Sequence, residues 1–204
     1  LTINTTNLFL DYFLNIILII SLTAIINFVN FMDGIDGLVT GSMIIYFLIF
    51  SILISPSLIP LVGSLTAFLI YNWSPAKIFM GDVGSTFLGA LFGTVLLQMQ
   101  NWNLSLECLF MASPLFADAL ICVIRRFLNH ENVFNGHKKH LFQRLVDQRG
   151  LTHAKVSLIY IAGSISCAIS LFLGGVYFLI FNLFLLLLIG IYLDQVIAKP
   201  FLNE

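Results

Sequence analysis

The strongest constraint on the fold is a succession of long apolar stretches separated by short polar segments. A helix that crosses a bilayer needs about 20 mostly apolar residues, and only helices or closed barrels satisfy their own backbone in lipid. We therefore predict an all-α, polytopic transmembrane helical bundle of about seven spans, forming a single transmembrane domain over residues 1–204. The predicted spans are Leu8–Ile26, Val39–Ile54, Leu58–Tyr71, Val83–Met99, Leu106–Ile124, Val156–Leu173 and Gly175–Leu193.

The basic residues give the bundle a direction. All nine Lys and Arg residues fall in the loops 27–38, 72–82 and 125–155 or in the tail after Leu193, which share one side of the predicted bundle. Cytoplasmic loops of membrane proteins are enriched in Lys and Arg, so this side is predicted to face the cytoplasm. On the opposite side, Ser55, Pro56 and Ser57 join the second and third spans and predict a tight helical hairpin.

Composition narrows the classes of function. Hydrophobic residues make up 59% of the chain and charged residues only 9%, whereas soluble domains carry roughly 25% charged residues. The net charge of −1 argues against nucleic acid as a partner, because no basic face is available for phosphates. Three cysteines, Cys108, Cys122 and Cys167, lie in apolar stretches without CxxC spacing, and we interpret them as buried apolar side chains rather than disulfide or metal ligands.

The segment Asn27–Leu38 places two amides and two carboxylates directly after the first span. Asn27, Asn30, Asp33 and Asp36 recur at a spacing of three, which puts them on one face of a helical turn. Gly34 allows close approach of the backbone to a ligand. We predict a polar ledge at the cytoplasmic membrane surface; the alternative is a simple polar helix cap with a glycine stop.

A second polar segment, Phe79–Ser85, enters the fourth span with Asp82 between Gly81 and Gly84. One carboxylate with free space beside it suits Mg²⁺, which commonly takes one or two protein carboxylates and fills its octahedron with phosphate oxygens and water. Asp82 could also be the N-cap of the following helix, and the two interpretations are compatible.

The 125–155 loop contains a third candidate constellation. His137, His140 and Arg144 fall at i, i+3 and i+7, which predicts one helical face suited to a diphosphate anion. A zinc site is an alternative, although His-x-x-His without a cysteine or third ligand is weak evidence for one. A basic loop that touches anionic lipid is another alternative. The chain also lacks a GxxxxGK[ST] sequence, which argues against a P-loop ATPase.

Asp118 lies inside the fifth predicted span, where a carboxylate is costly and usually faces a polar cavity. Arg125 is seven residues further on, which places both side chains on one face about 10 Å apart along the helix axis. Two interpretations are open: a structural ion pair with Arg125, or a residue that lines the site.

The chain resembles the polyprenyl-phosphate N-acetylhexosamine-1-phosphate transferases, which include the phospho-MurNAc-pentapeptide translocase. The matching stretches are Asn27–Leu38, Asn72–Ser85, Asp118–Arg126 and His137–Arg144. The resemblance implies that the phosphate of undecaprenyl phosphate attacks the β-phosphorus of a UDP-N-acetylhexosamine. UMP then leaves, with Mg²⁺ (or Mn²⁺) as the cofactor. It also implies a multi-pass protein of the bacterial inner (cytoplasmic) membrane, whose partners are the UDP-sugar, undecaprenyl phosphate and membrane lipid. A second copy, in a homodimer, is a further expected partner, although the sequence itself leaves the oligomeric state open.

The resemblance also implies roles for individual residues. Asp82 is the expected Mg²⁺ ligand, and Asp36, Asn72 and Phe79 form the expected uridine pocket. Asn30, Asp33 and Gly81 are expected near the ribose, phosphate or sugar, and His137, His140 and Arg144 near the diphosphate or sugar. The expected catalytic residues are Asp33, Asp36, Asp82, His137, His140 and Arg144; the expected substrate-binding residues are Asn27, Asn30, Asn72, Phe79, Gly81 and Asp118.

Two departures from the family pattern bear on function. Lys139 stands where many members have histidine, and the residues from His137 to His153 look closer to the O-antigen branch. The chain also lacks the adjacent pair of aspartates that the family carries in an early cytoplasmic loop. We therefore expect this chain to be the C-terminal part of the transferase, without about four N-terminal spans, and inactive on its own. The alternatives are an inactive remnant or non-catalytic membrane subunit, and a secondary transporter, which would place its polar groups near the bilayer midplane instead.

Overall fold

The computed structural model describes residues 8–132, 135–149 and 151–201, and every regular element in these ranges is helical, as predicted. Within the described ranges, the α-helices are α1 (Leu8–Met32), α2 (Leu38–Leu53), α3 (Ile59–Asn72), α4 (Gly81–Gln98), α5 (Trp102–Met111), α6 (Ser113–Leu128), α7 (Leu141–Arg149) and α8 (His153–Tyr192). A short 3₁₀ turn, Pro56–Leu58, precedes α3, and a π-helical segment, Leu193–Ile197, follows α8.

The helices differ from the predicted spans in length and continuity. Among the described residues, two helices are long and apolar enough to cross a membrane, Leu8–Met32 and His153–Ile197. The count rises to three if α5 and α6, which meet at a 75° bend, form one broken span. Leu38–Leu53 and Pro56–Asn72 are apolar but shorter. The predicted number of seven spans is therefore not confirmed.

Two of the predicted spans fall on the single helix α8. The predicted loop between them is reduced to a break at Gly174 and Gly175, whose backbone leaves helical geometry. Gly175 has a φ of 60°, a conformation that glycine adopts without the strain a side chain would impose. Apolar side chains near the break, such as Leu173 and Tyr177, are exposed, as a lipid-facing helix requires.

The predicted hairpin between the second and third spans is confirmed. Helices α2 and α3 pack against each other, and the Ser55 side chain accepts a hydrogen bond from the Ser57 N–H at the turn. Pro56 begins the 3₁₀ turn, where its missing N–H costs nothing. At the other end of α2, Gly37 has a φ of 74°, and a Cβ there would lie 2.8 Å from the Trp73 ring. This close approach explains why the chain needs glycine at that position.

The core brings α1, α2, α4, α6 and α8 together. Aromatic rings of Tyr46, Phe50, Phe92 and Phe116 pack with centroid separations of 5.2–5.7 Å, and the Tyr46 hydroxyl hydrogen-bonds Ser164 Oγ at 2.7 Å. Helices α1 and α4 approach closely at Gly89, where a Cβ would lie 2.9 Å from the Ile26 Cα. This contact brings the end of α1 to the beginning of α4, where the polar segments lie.

Candidate functional site

The polar turn after α1 meets the beginning of α4. Ser85 Oγ donates a hydrogen bond of 2.6 Å to Asn30 Oδ1, which joins the two segments. Asp33 and Asp82 both lie near this contact: burial, and then repulsion from Asp82, raises the pKa of Asp33 to about 7. Asp82 itself is exposed. Asp33, one carboxylate of the predicted ledge, therefore lies beside Asp82, and Asp82 faces open space.

Asp82 is in the first turn of α4, but it does not cap the helix. The residue at the N-cap is Met80, and no side chain makes a capping hydrogen bond there. Gly81 has a φ of 66°, and a Cβ at this position would meet no atom of the described residues within 4 Å. The N-cap alternative is therefore wrong, and the space beside Asp82 is open to a ligand.

Asp36 is fixed by groups from two other parts of the chain. Its Oδ2 accepts a hydrogen bond of 3.2 Å from the Ala76 N–H and lies 3.2 Å from His153 Nδ1. The Asp36 carbonyl oxygen accepts a hydrogen bond from Ser157 Oγ at 2.7 Å. Sequence reasoning did not place His153 in the site, because nothing in the spacing connects the first residue of α8 with the turn after α1.

The Asn72–Met80 loop carries the other residues expected at a nucleotide pocket. Asn72 is buried, accepts a hydrogen bond from Thr40 Oγ1 at 2.7 Å and donates one to the Ile78 carbonyl at 3.0 Å. Its amide thus holds the loop against α2. Phe79, by contrast, is 73% exposed, and Asn27 is also exposed on the last turns of α1.

The two histidines lie before α7 rather than on it. Helix α7 begins at Leu141, so the predicted single helical face of His137, His140 and Arg144 is wrong. The segment instead folds the rings onto each other, with His137 and His140 stacked at 5.0 Å. Burial, and then the neighbouring His140, lowers the pKa of His137 to about 4.

This histidine segment contacts the acidic turn. The ring centroids of Phe31 and His140 are 6.1 Å apart, and a Cβ at Gly34 would lie 2.8 Å from the Phe142 ring. The absence of a side chain at Gly34 therefore lets α7 pack against the turn. The structure thus brings residues from α1, α4, α7 and α8 to one end of the bundle.

Arg144 and Asp118 are both buried and hold backbone in place. Arg144 donates to the carbonyls of Lys139 at 3.1 Å and Lys199 at 2.6 Å and pairs with Asp194. Asp118 accepts hydrogen bonds from the N–H groups of Leu141 and Phe142, at 2.8 and 3.1 Å, and from the Tyr160 hydroxyl at 2.6 Å. The Asp118 carboxylate thus anchors the first turn of α7.

The alternative ion pair between Asp118 and Arg125 is not formed. Arg125 makes a bidentate pair with Asp194, with N–O distances of 3.0 and 2.7 Å. Asp194 therefore joins Arg125 to Arg144. These three residues and Asp118 line the polar end of a cavity of about 360 Å³ between α6 and α8, whose remaining walls are mostly apolar.

One cluster in the site has ligand atoms of a different chemistry. Cys122, His137 and His140 each offer one atom, and these atoms lie within 4.8 Å of one another. Sequence reasoning treated Cys122 as an apolar side chain, because it lies within an apolar helix and far along the chain from the histidines. No spacing signal could have joined them.

Comparison with known proteins adds independent information. Residues 1–100 match the model of Glycosyl transferase family 4. The "Probable undecaprenyl-phosphate N-acetylglucosaminyl 1-phosphate transferase" of Bacillus subtilis (strain 168) is 32% identical, over 76% of this chain and 46% of the relative. The "Phospho-N-acetylmuramoyl-pentapeptide-transferase" of Staphylococcus carnosus (strain TM300) is 32% identical, over 72% of this chain and 48% of the relative.

A shorter match has higher identity. The "Phospho-N-acetylmuramoyl-pentapeptide-transferase" of Streptococcus mutans serotype c is 40% identical, over 38% of this chain and 26% of the relative. The chain thus spans about half the length, or less, of the curated relatives it matches.

Proposed function

Because the chain belongs to glycosyl transferase family 4, we propose that the protein transfers N-acetylhexosamine-1-phosphate from a UDP-sugar to undecaprenyl phosphate. A phosphate oxygen of the lipid attacks the β-phosphorus of the UDP-sugar. The bond from that phosphorus to the bridging oxygen breaks, and UMP leaves with the electron pair. The observation that carries the proposal is the meeting of Asp33, Asp82 and the histidine segment at one end of an apolar bundle.

The carboxylates fit a hard divalent cation. Asp82 is exposed, and its charge opposes ionisation of Asp33, so a cation between them would relieve their repulsion. Carboxylate oxygens are the donors that Mg²⁺ takes, and Mn²⁺ accepts the same donors. We propose that Asp82 holds Mg²⁺, with Asp33 beside it. When bound, the cation would neutralise charge on the diphosphate.

The protein's own residues would position the UDP-sugar. Phe79 offers an exposed ring on which the uracil can stack, and Asp36, fixed by Ala76 and His153, offers a carboxylate for hydrogen bonding. Asn72 would act by holding the loop that carries Phe79. Positioning and electrostatic stabilisation supply most of the catalysis in phosphoryl transfer. These contacts would therefore be the protein's main contribution to the rate.

The remaining expected residues complete the substrate surface. Asn27, Asn30 and Gly81 lie on the end of α1 and the start of α4, where the sugar and ribose would bind. His137 and His140 would face the diphosphate. Arg144 would contribute positive charge there, and Asp118 would hold α7 in place.

We propose a multi-pass protein of the bacterial cytoplasmic membrane, with about seven spans in this chain and the site facing the cytoplasm. The nine basic residues on one side support this orientation. The apolar cavity between α6 and α8 opens beside Arg125 and Arg144, which suits a lipid with an anionic head. Residues 1–204 would be the C-terminal part of the transferase domain, which would act as a homodimer in cell-envelope or O-antigen glycan synthesis.

A second candidate is a non-catalytic membrane subunit or remnant of the same family. It is favoured by one observation: the chain contains no pair of adjacent aspartates. A form extended upstream separates the two candidates. We would incubate this chain and the extended form with undecaprenyl phosphate, Mg²⁺ and a panel of UDP-N-acetylhexosamines, and identify the lipid product by mass spectrometry.

The transferase proposal predicts a lipid-diphosphate sugar from the extended form with at least one member of the panel. That sugar also decides between an O-antigen precursor and another glycan. No product from either form, with both folded in detergent, would favour the non-catalytic subunit.

A further inference from the structure

A cysteine and two histidines meet beside the second half of α6. Cys122 comes from α6, and His137 and His140 come from the segment before α7; their ligand atoms lie within 4.8 Å of one another. The ligands of a tetrahedral zinc ion lie roughly 3.5 Å apart, so a small inward movement would bring the three atoms to ligand distance. We propose that Cys122, His137 and His140 form a site for a zinc-class transition metal ion.

The donor set distinguishes this site from the proposed carboxylate site. Thiolate and imidazole are soft or borderline ligands that favour Zn²⁺ over Mg²⁺, whereas Asp33 and Asp82 offer only hard oxygens. Three protein ligands also leave a fourth position open for water or another ligand. The site is therefore a second metal site, and its existence does not depend on the proposed transferase activity.

His140 provides independent support. Its side chain is 3% exposed, and Nδ1 has no hydrogen-bond partner among the described residues. A buried imidazole nitrogen without a partner is costly, since it has lost water and gained nothing in exchange. Coordination through Nε2 would leave the proton on Nδ1, and the small ring movement that binding requires would bring this N–H towards the Asp118 carboxylate. The nearest carboxylate oxygen, Asp118 Oδ1, is 3.7 Å from Nδ1. Asp118 lies one helical turn before Cys122 on α6.

Asp118 can orient the ligand ring. A histidine that binds a metal through one nitrogen usually donates its other N–H to a carboxylate or carbonyl. The Asp118 carboxylate is held by Leu141, Phe142 and Tyr160, so its position is fixed. A shift of the His140 ring of less than about 1 Å would turn the 3.7 Å separation into a hydrogen bond.

His137 is the more accessible ligand. Its Nδ1 accepts a hydrogen bond of 3.2 Å from the Lys139 N–H, so coordination of this ring exchanges one long hydrogen bond for a metal bond. The ring already stacks on His140 at 5.0 Å. Metal binding would therefore tie the segment before α7 to α6 and occupy the two imidazoles that the proposed function uses for the diphosphate.

Cobalt reports the thiolate directly. We would purify the protein in detergent, remove metal with a chelator, titrate Co²⁺, and record the ultraviolet charge-transfer absorption of a thiolate–cobalt bond. The site predicts one Co²⁺ per chain with this absorption, displacement by one equivalent of Zn²⁺, and no displacement by excess Mg²⁺. Absence of the thiolate absorption from the folded wild-type protein would overturn the proposal.

Cysteine variants would show which thiolate produces the cobalt absorption. Cys122→Ser is expected to abolish it, whereas Cys108→Ser and Cys167→Ser, at buried cysteines elsewhere, are expected to keep it. If Cys122→Ser does not fold, His137→Ala decides, because His137 is only half-buried and its loss should weaken Co²⁺ binding at least about 10-fold. Full Co²⁺ affinity in His137→Ala, or a thiolate band that persists in Cys122→Ser, would contradict the assignment.

Discussion

Asp36 Oδ2 lies 3.2 Å from His153 Nδ1, which joins the turn after α1 to the first residue of α8. Ser157, one turn further along α8, donates to the Asp36 carbonyl at 2.7 Å. Helix α8 therefore fixes both the side chain and the backbone of an aspartate at the proposed nucleotide pocket. The beginning of α8 thus contributes contacts to the proposed site, in addition to the long apolar stretch that follows it.

We expect His153→Ala to weaken use of the UDP-sugar without unfolding the protein. The His153 side chain is 40% exposed, so the contact is worth about 0.5–1 kcal/mol, or roughly 2–5-fold in KM. Steady-state kinetics on a form extended upstream would measure it. Lys155→Ala, an exposed basic residue on the same helical turn, is the control and should leave KM unchanged. Equal effects from both variants would mean that general charge, not the Asp36 contact, is responsible.

Loss of the Asp118 carboxylate is expected to destabilise the protein. Asp118→Ala leaves the Leu141 and Phe142 N–H groups and the Tyr160 hydroxyl without their acceptor. We expect a loss of roughly 2–4 kcal/mol, seen as a lower thermal unfolding temperature in detergent. Tyr160→Phe removes one of the three donors and should cost about 1 kcal/mol. Unchanged thermal stability of Asp118→Ala would show that the carboxylate does not anchor α7.

We expect the close contact of α1 with α4 to make the protein sensitive to a larger side chain at Gly89. A Cβ at Gly89 would lie 2.9 Å from the Ile26 Cα, so Gly89→Ala must push the helices apart at a cost of about 1–3 kcal/mol. Separation would also strain the hydrogen bond between Asn30 and Ser85 at the site. Gly63→Ala in α3 is the matched control, since a Cβ there would meet no atom within 4 Å in the part of the chain that the structure describes. Thermal unfolding of both variants tests this: similar stabilities would refute the close packing.

Arg144 carries two separable expectations. If Arg144 contacts the diphosphate, Arg144→Ala should raise the KM for the UDP-sugar about 10-fold. As the partner of Asp194 and two backbone carbonyls, it should also lower thermal stability. Arg125→Ala is the control, because Arg125 shares Asp194 but is 38% exposed. Arg144→Ala with lower stability and an unchanged KM would leave Arg144 as an anchor of the fold only.

The sequence was sufficient for the features that depend on local pattern. Apolar runs predicted the helices, and Ser55–Ser57 predicted the hairpin of α2 and α3. The number of spans was harder, because apolar length does not show whether a glycine pair ends a helix or merely breaks it, as at Gly174 and Gly175. A run of apolar residues also does not reveal the 75° bend between α5 and α6.

The site was predictable as a set of polar segments but not as a set of contacts. Helical spacing wrongly placed His137, His140 and Arg144 on one face, because the Asp118 carboxylate starts α7 only at Leu141. His153 and Cys122 were missed for a related reason: each reaches its partners through tertiary packing between distant segments. Their residue types, in apolar or basic surroundings, carried no signal of their own.

The most direct test of the central claim is release of UMP that requires undecaprenyl phosphate. We would measure it with Mg²⁺ on the form extended upstream, comparing wild type, Asp82→Asn and, as an acidic control on α5, Glu107→Gln. The account predicts UMP from the wild type and Glu107→Gln, and a loss of about 100-fold or more in Asp82→Asn with the protein still folded. Near-wild-type release from Asp82→Asn would contradict the placement of the metal and of the reaction at the start of α4.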